Sequence, residues 1–335
     1  MPSPAIAFPH PDDPDFLAEL GGLFMGCKML FAGAEIGLFE KLKDGPLTVE
    51  ELSRGTGLPQ RSVHVLVSGL VAMGVLELKD GKLSNGKAAQ KKLTTRGPDD
   101  IRPGFRLYDL VDIPLYEHFE QALRTGRPVQ TTRPIADFGK IFTEGVEAFT
   151  RPAADALAAA YDFSPHKRVL DMAGGTGSYL LPMLRRYPSV RATLYELPHV
   201  AELARRRLAD DPHGSQVEVV EGDALFDPIP MDHDAIILAN TIHLLNQEKV
   251  QRLFQRLRDA VQPGARLIMP EHWMSSTHTS PLFAALIAGL YLCLSGEAKT
   301  HSVDEGRAWM AAAGWKMLEH RPLFGSISLA VAEAV

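Results

Sequence analysis

Arg168-Val-Leu-Asp-Met-Ala-Gly-Gly-Thr-Gly-Ser178 is a short apolar run that ends in an acid and passes into a glycine-rich turn. Val169, Leu170 and Met172 read as a buried parallel strand, and Gly174, Gly175 and Gly177 permit a turn that side chains would obstruct. From Ser178 the period becomes helical, with Leu180, Leu181, Leu184 and Tyr187 at helix-compatible spacings before Pro188 stops it. Strand, glycine loop and helix in this order put a ligand beyond the carboxyl end of an open α/β sheet.

The loop is poorly built for phosphates. Counting from Gly175 and Gly177 puts Leu180 where a dinucleotide fingerprint needs its third glycine, and no Gly-Lys-Ser/Thr follows. Acids stand at the strand ends instead. Asp171 precedes the glycines, Glu196 closes Ala192-Thr-Leu-Tyr-Glu, and Asp223 follows Val217-Glu-Val-Val-Glu-Gly. A carboxylate at the second strand tip suits a ribose diol, since it accepts hydrogen bonds from both hydroxyls. Three acids at successive strand ends suit a nucleoside that carries positive charge, of which S-adenosylmethionine is one.

Asp171-Met-Ala-Gly-Gly-Thr-Gly177, Tyr195-Glu-Leu-Pro-His-Val200, Glu221-Gly-Asp223 and Asn240-Thr-Ile-His243 occur in the order seen in class I S-adenosylmethionine-dependent methyltransferases. Along nearly its whole length the chain resembles the caffeate and acetylserotonin type of small-molecule O-methyltransferase. The resemblance implies an α/β protein: a Rossmann-like methyltransferase domain behind a mainly helical N-terminal winged-helix dimerisation domain. It implies S-adenosyl-L-methionine as cofactor, a homodimer, and methyl transfer to a hydroxyl of a small aromatic or polyketide-like secondary metabolite. Asp171, Gly174, Gly175, Gly177, Glu196, Leu197, Asp223, Ala224, Leu225 and Asn240 are the expected cofactor-binding residues.

His243 follows the strand-like run Asp234 to Ala239 and precedes a helix ending near Pro263-Gly264, so it stands at the sheet's carboxyl edge. The resemblance makes it the general base, from a His-Asp-Trp sequence at the same distance before Pro-Gly. A base is useful there. A phenol with a pKa of about 10 is ionised roughly one part in a thousand at pH 7, a cost near 4 kcal/mol, and an imidazole can take its proton as the carbon–oxygen bond forms. No metal is needed, and His272, His278 and His301 lack metal-ligand spacing. The family's Asp and Trp are Leu244 and Leu245 here. Glu271 matches a family acid that steadies the histidine, whereas the second such acid falls on Ala298, with Glu297 one position out.

Three organisational units are expected: 1–97 as the winged-helix-like domain, 98–150 as a helical linker and substrate-pocket segment, and 151–335 as the cofactor domain. Asp15 to Leu38 reads as a broadly apolar helix, Thr48 and Glu51 as a capping box, Gln60 to Met73 as a second helix, and Asp80-Gly81 as a hairpin tip. That second helix offers only Arg61 and His64 for base readout, and Lys87, Lys91 and Lys92 form only a small basic cluster, so nucleic acid is not an expected partner. The middle segment is rich in aromatic residues and prolines, including Pro134. Phe105, Tyr108 and Phe142, with Trp273 further on, are the expected substrate-facing side chains. Residues 151 to 166 should form a helix leading into alternating strands and helices, and the tail from Trp315 should close the sheet as a hairpin around Gly325.

Composition agrees with a globular protein. A net charge of −6 provides no general attraction to nucleic acid or anionic membranes, and Cys27 and Cys293 make no disulfide framework. Met1 to Pro14 has no secretion-signal pattern, and Pro281 to Leu294 is too short to span a bilayer, so no membrane partner and a cytoplasmic location are expected. Two alternatives keep their place: N- or C-methylation, or a non-methylating catalyst, on the same cofactor and fold, and a winged-helix regulator that senses a small ligand.

Overall fold

The computed structural model describes residues 10–97, 99–129 and 137–335. The start of the chain, expected to be mobile, and Pro98 and Pro134 of the middle segment lie outside the described residues. The chain divides into two compact units, Met1–Ile113 with Ile135–Phe149 and Pro114–Pro134 with Thr150–Val335, so the aromatic middle segment is shared between them.

In the first unit, helix Val49–Thr56 begins with both halves of a capping box: Thr48 Oγ1 accepts from Glu51 N–H, and the Glu51 carboxylate accepts from Thr48 N–H. Helix Gln60–Ala72 follows, then the antiparallel pair β1 (Leu76–Lys79) and β2 (Lys82–Asn85). Asp80 and Gly81 between them have φ of 51° and 76°, the left-handed pair a tight hairpin tip requires. Leu38, Phe39, Leu52, Val63, Leu70, Leu76 and Leu83 form the core of this unit. Helix Phe16–Glu35 is different, since it leaves Leu17, Phe24 and Met25 in solvent. By length and composition alone it is apolar enough to cross a membrane, which corrects the expectation that no run is. It nonetheless carries Glu19, Lys28 and Glu35, and Lys28 and Glu35 pair with Asp109 and Arg106 of the same unit.

The second unit is a seven-stranded sheet. β3 (Arg168–Met172), β4 (Arg191–Glu196), β5 (Val217–Glu221), β6 (Ala235–Ile237) and β7 (Arg266–Glu271) are parallel, and β8 (Trp315–Phe324) and β9 (Ile327–Ala334) are antiparallel. The order is β5-β4-β3-β6-β7-β9-β8, so the winding reverses between β3 and β6, the switch point where a ligand crevice opens. Two apolar clusters cover the sheet. One is built around Phe254, Leu257, Met310 and Trp315, the other around Leu157, Leu180, Leu184 and Leu208.

One helix differs from its sequence reading. The helix expected over 151 to 166 runs from Phe138 to Ala160, with Pro152 inside it. Phe138, Phe142, Val146 and Phe149 already keep helical spacing. Beyond the proline, Ala153, Ala154 and Leu157 are buried, and that packing carries the helix past one missing N–H.

Candidate active site

The glycine loop is shaped by contacts as well as by backbone freedom. A Cβ on Gly174 would lie 2.3 Å from Asp171 Cγ, so the acid and the glycine occupy one space. Gly175 faces open space, but its φ of 60° is the left-handed value that favours glycine. Ala173 shares that conformation with φ of 53° and no such freedom, which costs about 1–2 kcal/mol. Its N–H donates to Tyr195 O at 2.8 Å, tying the loop to β4.

Asp171 is fully buried, and among the described residues neither carboxyl oxygen has a hydrogen-bond partner. Burial first, and the charge of Glu196 second, push its pKa well above the usual carboxylate range. Glu196 is also buried, and its two oxygens accept from Gly175 N–H at 2.9 Å and Leu197 N–H at 2.8 Å. Burial raises its pKa, against those two bonds. Each oxygen keeps a further lone pair, so a carboxylate held this way is already oriented for a diol. At the third strand end Asp223 caps its own turn, Oδ1 accepting from Leu225 N–H at 2.8 Å, beside half-buried Ala224 and buried Leu225. Leu197 is exposed. Arg207 braces the loop from helix Pro198–Ala209, donating to Thr176 Oγ1 at 2.6 Å and Ser178 Oγ at 3.2 Å.

Across the switch point, Asn240 has φ of 48°, its N–H bonds Pro270 O, and its Nδ2 donates to Tyr179 Oη at 3.2 Å. Tyr179 is buried, and its pKa is raised by burial, then by the charges of Glu271 and Asp171. The phenol therefore lies within electrostatic reach of both halves of the crevice.

His243 stands on the single turn Ile242–Leu244. Its Nδ1 lies 2.7 Å from Glu271 Oε1, and both side chains are buried. A carboxylate accepts, so Nδ1 carries the proton and Nε2 is left as the basic nitrogen. Burial would raise the Glu271 pKa, but His243 and the His272 N–H, which also bonds Oε1 at 2.7 Å, hold it down at about 2. The ring of Tyr291 lies parallel to the imidazole, 4.7 Å between centroids and 7° between planes, while His272 is 6.0 Å away and tilted. His301 supports the turn itself, with Nε2 3.1 Å from the carbonyls of both Ile242 and Leu245. Lys299 N–H adds a bond to His243 O.

The structure thus brings together His243 with Glu271, Glu196 with the glycine loop, and Asn240 with Tyr179. Glu297 is not at the histidine but pairs with half-buried Lys249. Trp273, expected to face substrate, is core: it is buried, its indole lies against Gly306, and Nε1 points to Met269 O. In the first unit, half-buried Phe105 packs on Phe31, and Tyr108 stacks on Phe149 at 4.6 Å, with a pKa pushed up to about 12 by burial and by Asp112. Phe142 is exposed and stacks on Phe138. The sequence reading missed Tyr179, Arg207, Tyr291 and His301. Among these only His301 carried a signal, as one of three nearby histidines.

The crevice fits a nucleoside with a cationic sulfur on its own evidence. Among the described residues, Asp171 and Asn240 Oδ1 are buried acceptors without partners, and Glu196 is set for a diol. A mostly parallel sheet of this order with such a crevice is a Rossmann-like methyltransferase domain.

Comparison with known proteins agrees. Residues 115–316 match the O-methyltransferase domain, and residues 41–80 match the IclR helix-turn-helix domain. The 3-hydroxy-5-methyl-1-naphthoate 3-O-methyltransferase of Streptomyces sahachiroi is 27% identical, over 91% of this chain and 90% of its own. The tetracenomycin polyketide synthesis 8-O-methyl transferase of Streptomyces glaucescens is 25% identical over 96% and 97%. Human N-acetylserotonin methyltransferase in complex with S-adenosylmethionine superposes with a TM-score of 0.84 at 21% identity, covering 96% of this chain and 98% of that one, and shows the same fold. The chain belongs to the O-methyltransferase domain family and is an S-adenosylmethionine-dependent O-methyltransferase.

Proposed function

We propose that this enzyme methylates a hydroxyl on an aromatic or polyketide-like metabolite, with His243 as general base and Glu271 as its partner. The observation that carries the reading is the buried 2.7 Å contact between His243 Nδ1 and Glu271 Oε1 at the carboxyl edge of the sheet. Relatives named for a naphthoate and for tetracenomycin support the substrate class.

When bound, S-adenosylmethionine supplies an electrophilic methyl carbon on a positively charged sulfur. Asp171, the loop Gly174, Gly175 and Gly177, Glu196, Leu197, Asp223, Ala224, Leu225 and Asn240 would hold it. The remaining work is this chain's own. Nε2 takes the hydroxyl proton as the oxygen becomes nucleophilic, and the carboxylate of Glu271 keeps Nδ1 protonated and offsets the charge that builds on the ring. Burial of both groups keeps competing water from the pair and strengthens their interaction.

The substrate contacts belong to the same proposal. Exposed Leu244, Phe283 and Leu286 supply apolar surface near the histidine's turn and on helix Leu282–Leu294. The exposed stripe Leu17, Leu20 and Phe24 on helix Phe16–Glu35, at spacings of three and four, is the face a second copy of the chain would cover in a homodimer.

Labelled methyl donor with a hydroxynaphthoate as acceptor is the direct assay. His243→Ala should lower kcat at least a hundredfold while S-adenosylhomocysteine affinity stays within twofold. Parental turnover in that variant would remove the base assignment. Sedimentation of Phe24→Lys as a monomer, with the parent a dimer, checks the assembly.

A further inference from the structure

One hydrogen bond does not fix an imidazole. The bond from His243 Nδ1 to Glu271 holds one edge of the ring, but a single hydrogen bond tolerates tilt of the plane, which moves Nε2 relative to an acceptor. The positions that follow the histidine hold Leu244 and Leu245, of which Leu244 is exposed, and Glu297 is engaged with Lys249. Neither supplies a second polar restraint. Tyr291 supplies a different one. It projects from helix Leu282–Leu294, is buried, and lays its ring parallel to the imidazole at 4.7 Å and 7°. Glu271 therefore restrains the ring within its plane and Tyr291 restrains the plane. The tyrosine face also carries negative charge density, so a proton arriving on the imidazole is stabilised over it.

We propose that Tyr291 is a positioning residue for methyl transfer, an aromatic platform that sets the plane of His243 and stabilises its protonated form. The inference rests on His243 being the base. The other groups facing the imidazole are Glu271 and His272 at the end of β7, with His301 and the Lys299 backbone gripping the turn from below. Glu271 is the one anion among them, so the platform adds to a single charge rather than to a cluster.

The test compares the full-length parent with Tyr291→Met, Tyr291→Phe, His243→Ala, and a series carrying progressively fluorinated phenylalanine at 291. Methionine fills similar volume without a π face, whereas fluorination drains the face and preserves the shape. Tyr291→Met is expected to lower kcat about tenfold, with acceptor KM and S-adenosylhomocysteine affinity within twofold, and to move the acid limb of the pH–rate profile to lower pH. Tyr291→Phe should restore turnover to within about twofold of the parent, and kcat should fall stepwise with each added fluorine. Parental kcat and profile in Tyr291→Met, with His243→Ala inactive, would overturn the platform and leave the base in place. Parental kcat in His243→Ala would overturn the base and the platform with it. If Tyr291→Met does not fold, the fluorinated series decides, and a flat response across it overturns the proposal.

Discussion

The two halves of the crevice are supported in different ways. On the β3, β4 and β5 side each functional group is fixed by its own neighbourhood: Glu196 by Leu197 N–H and the adjacent glycine loop, Asp223 by its own turn, Gly174 by Asp171 three residues away. On the β6 and β7 side, His243 sits on a three-residue turn and depends on Glu271, Tyr291, Lys299 and His301, 28 to 58 residues further along the chain. A nucleoside site can be built from strand ends because backbone N–H groups and carboxylates do the holding. An oriented base needs several restraints on one small ring, and these must come from separate elements.

The contrast can be broken or sharpened by measurement. The largest effect is expected on the base side: Glu271→Ala should reduce kcat about a hundredfold and leave donor affinity within twofold, read by steady-state kinetics and calorimetry. Donor affinity falling in step with kcat would show that the two halves are not separable. On the nucleoside side the pattern should invert. Glu196→Ala is expected to weaken S-adenosylhomocysteine roughly 30-fold, about 2 kcal/mol, through loss of charge-assisted bonds to hydroxyls and loop.

Acid should distinguish the halves as well. The folded-state pKa of Glu271, about 2, lies below its ordinary 4.5. A depressed acid stabilises the fold above about pH 4.5 and loses that contribution as pH falls toward 2. Melting temperature in the parent should therefore drop more steeply than in Glu271→Gln across that window, and parallel curves would contradict the His243–Glu271 contact. Asp171 and Glu196 have raised values, so their burial favours folding most at low pH and that benefit is lost as pH rises. The smallest effect concerns the loop: Ala173→Gly should raise unfolding stability by about 1 kcal/mol in urea, by relieving a left-handed alanine. No gain would mean that the loop relaxes without it.

What the sequence revealed follows the same division. The glycine loop, Glu196, Asp223 and the Thr48 capping box were legible because their partners lie within a few residues or at the tip of the next strand. His243 and Glu271 came through the resemblance, and their contact is there in the fold. Tyr291 was not legible, because a ring 48 positions beyond the histidine meets it only after helix Leu282–Leu294 has packed. Trp273 misled for a related reason. It reads as facing substrate, but Gly306 leaves a socket for the indole that no local pattern announces. The helix expected from residue 151 instead begins at Phe138, and burial of Ala153, Ala154 and Leu157 carries it through Pro152.

β9, the last strand in chain order, is an inner strand: it lies between β7 and β8 and pairs Ser328 with Glu271. In a folding molecule the flank of β7 beside Glu271 stays unzipped until Ile327–Ala334 has docked. Molecules in which β9 has not yet docked would hold a crevice beside an unfinished His243–Glu271 pair and expose a raw sheet margin to neighbouring chains.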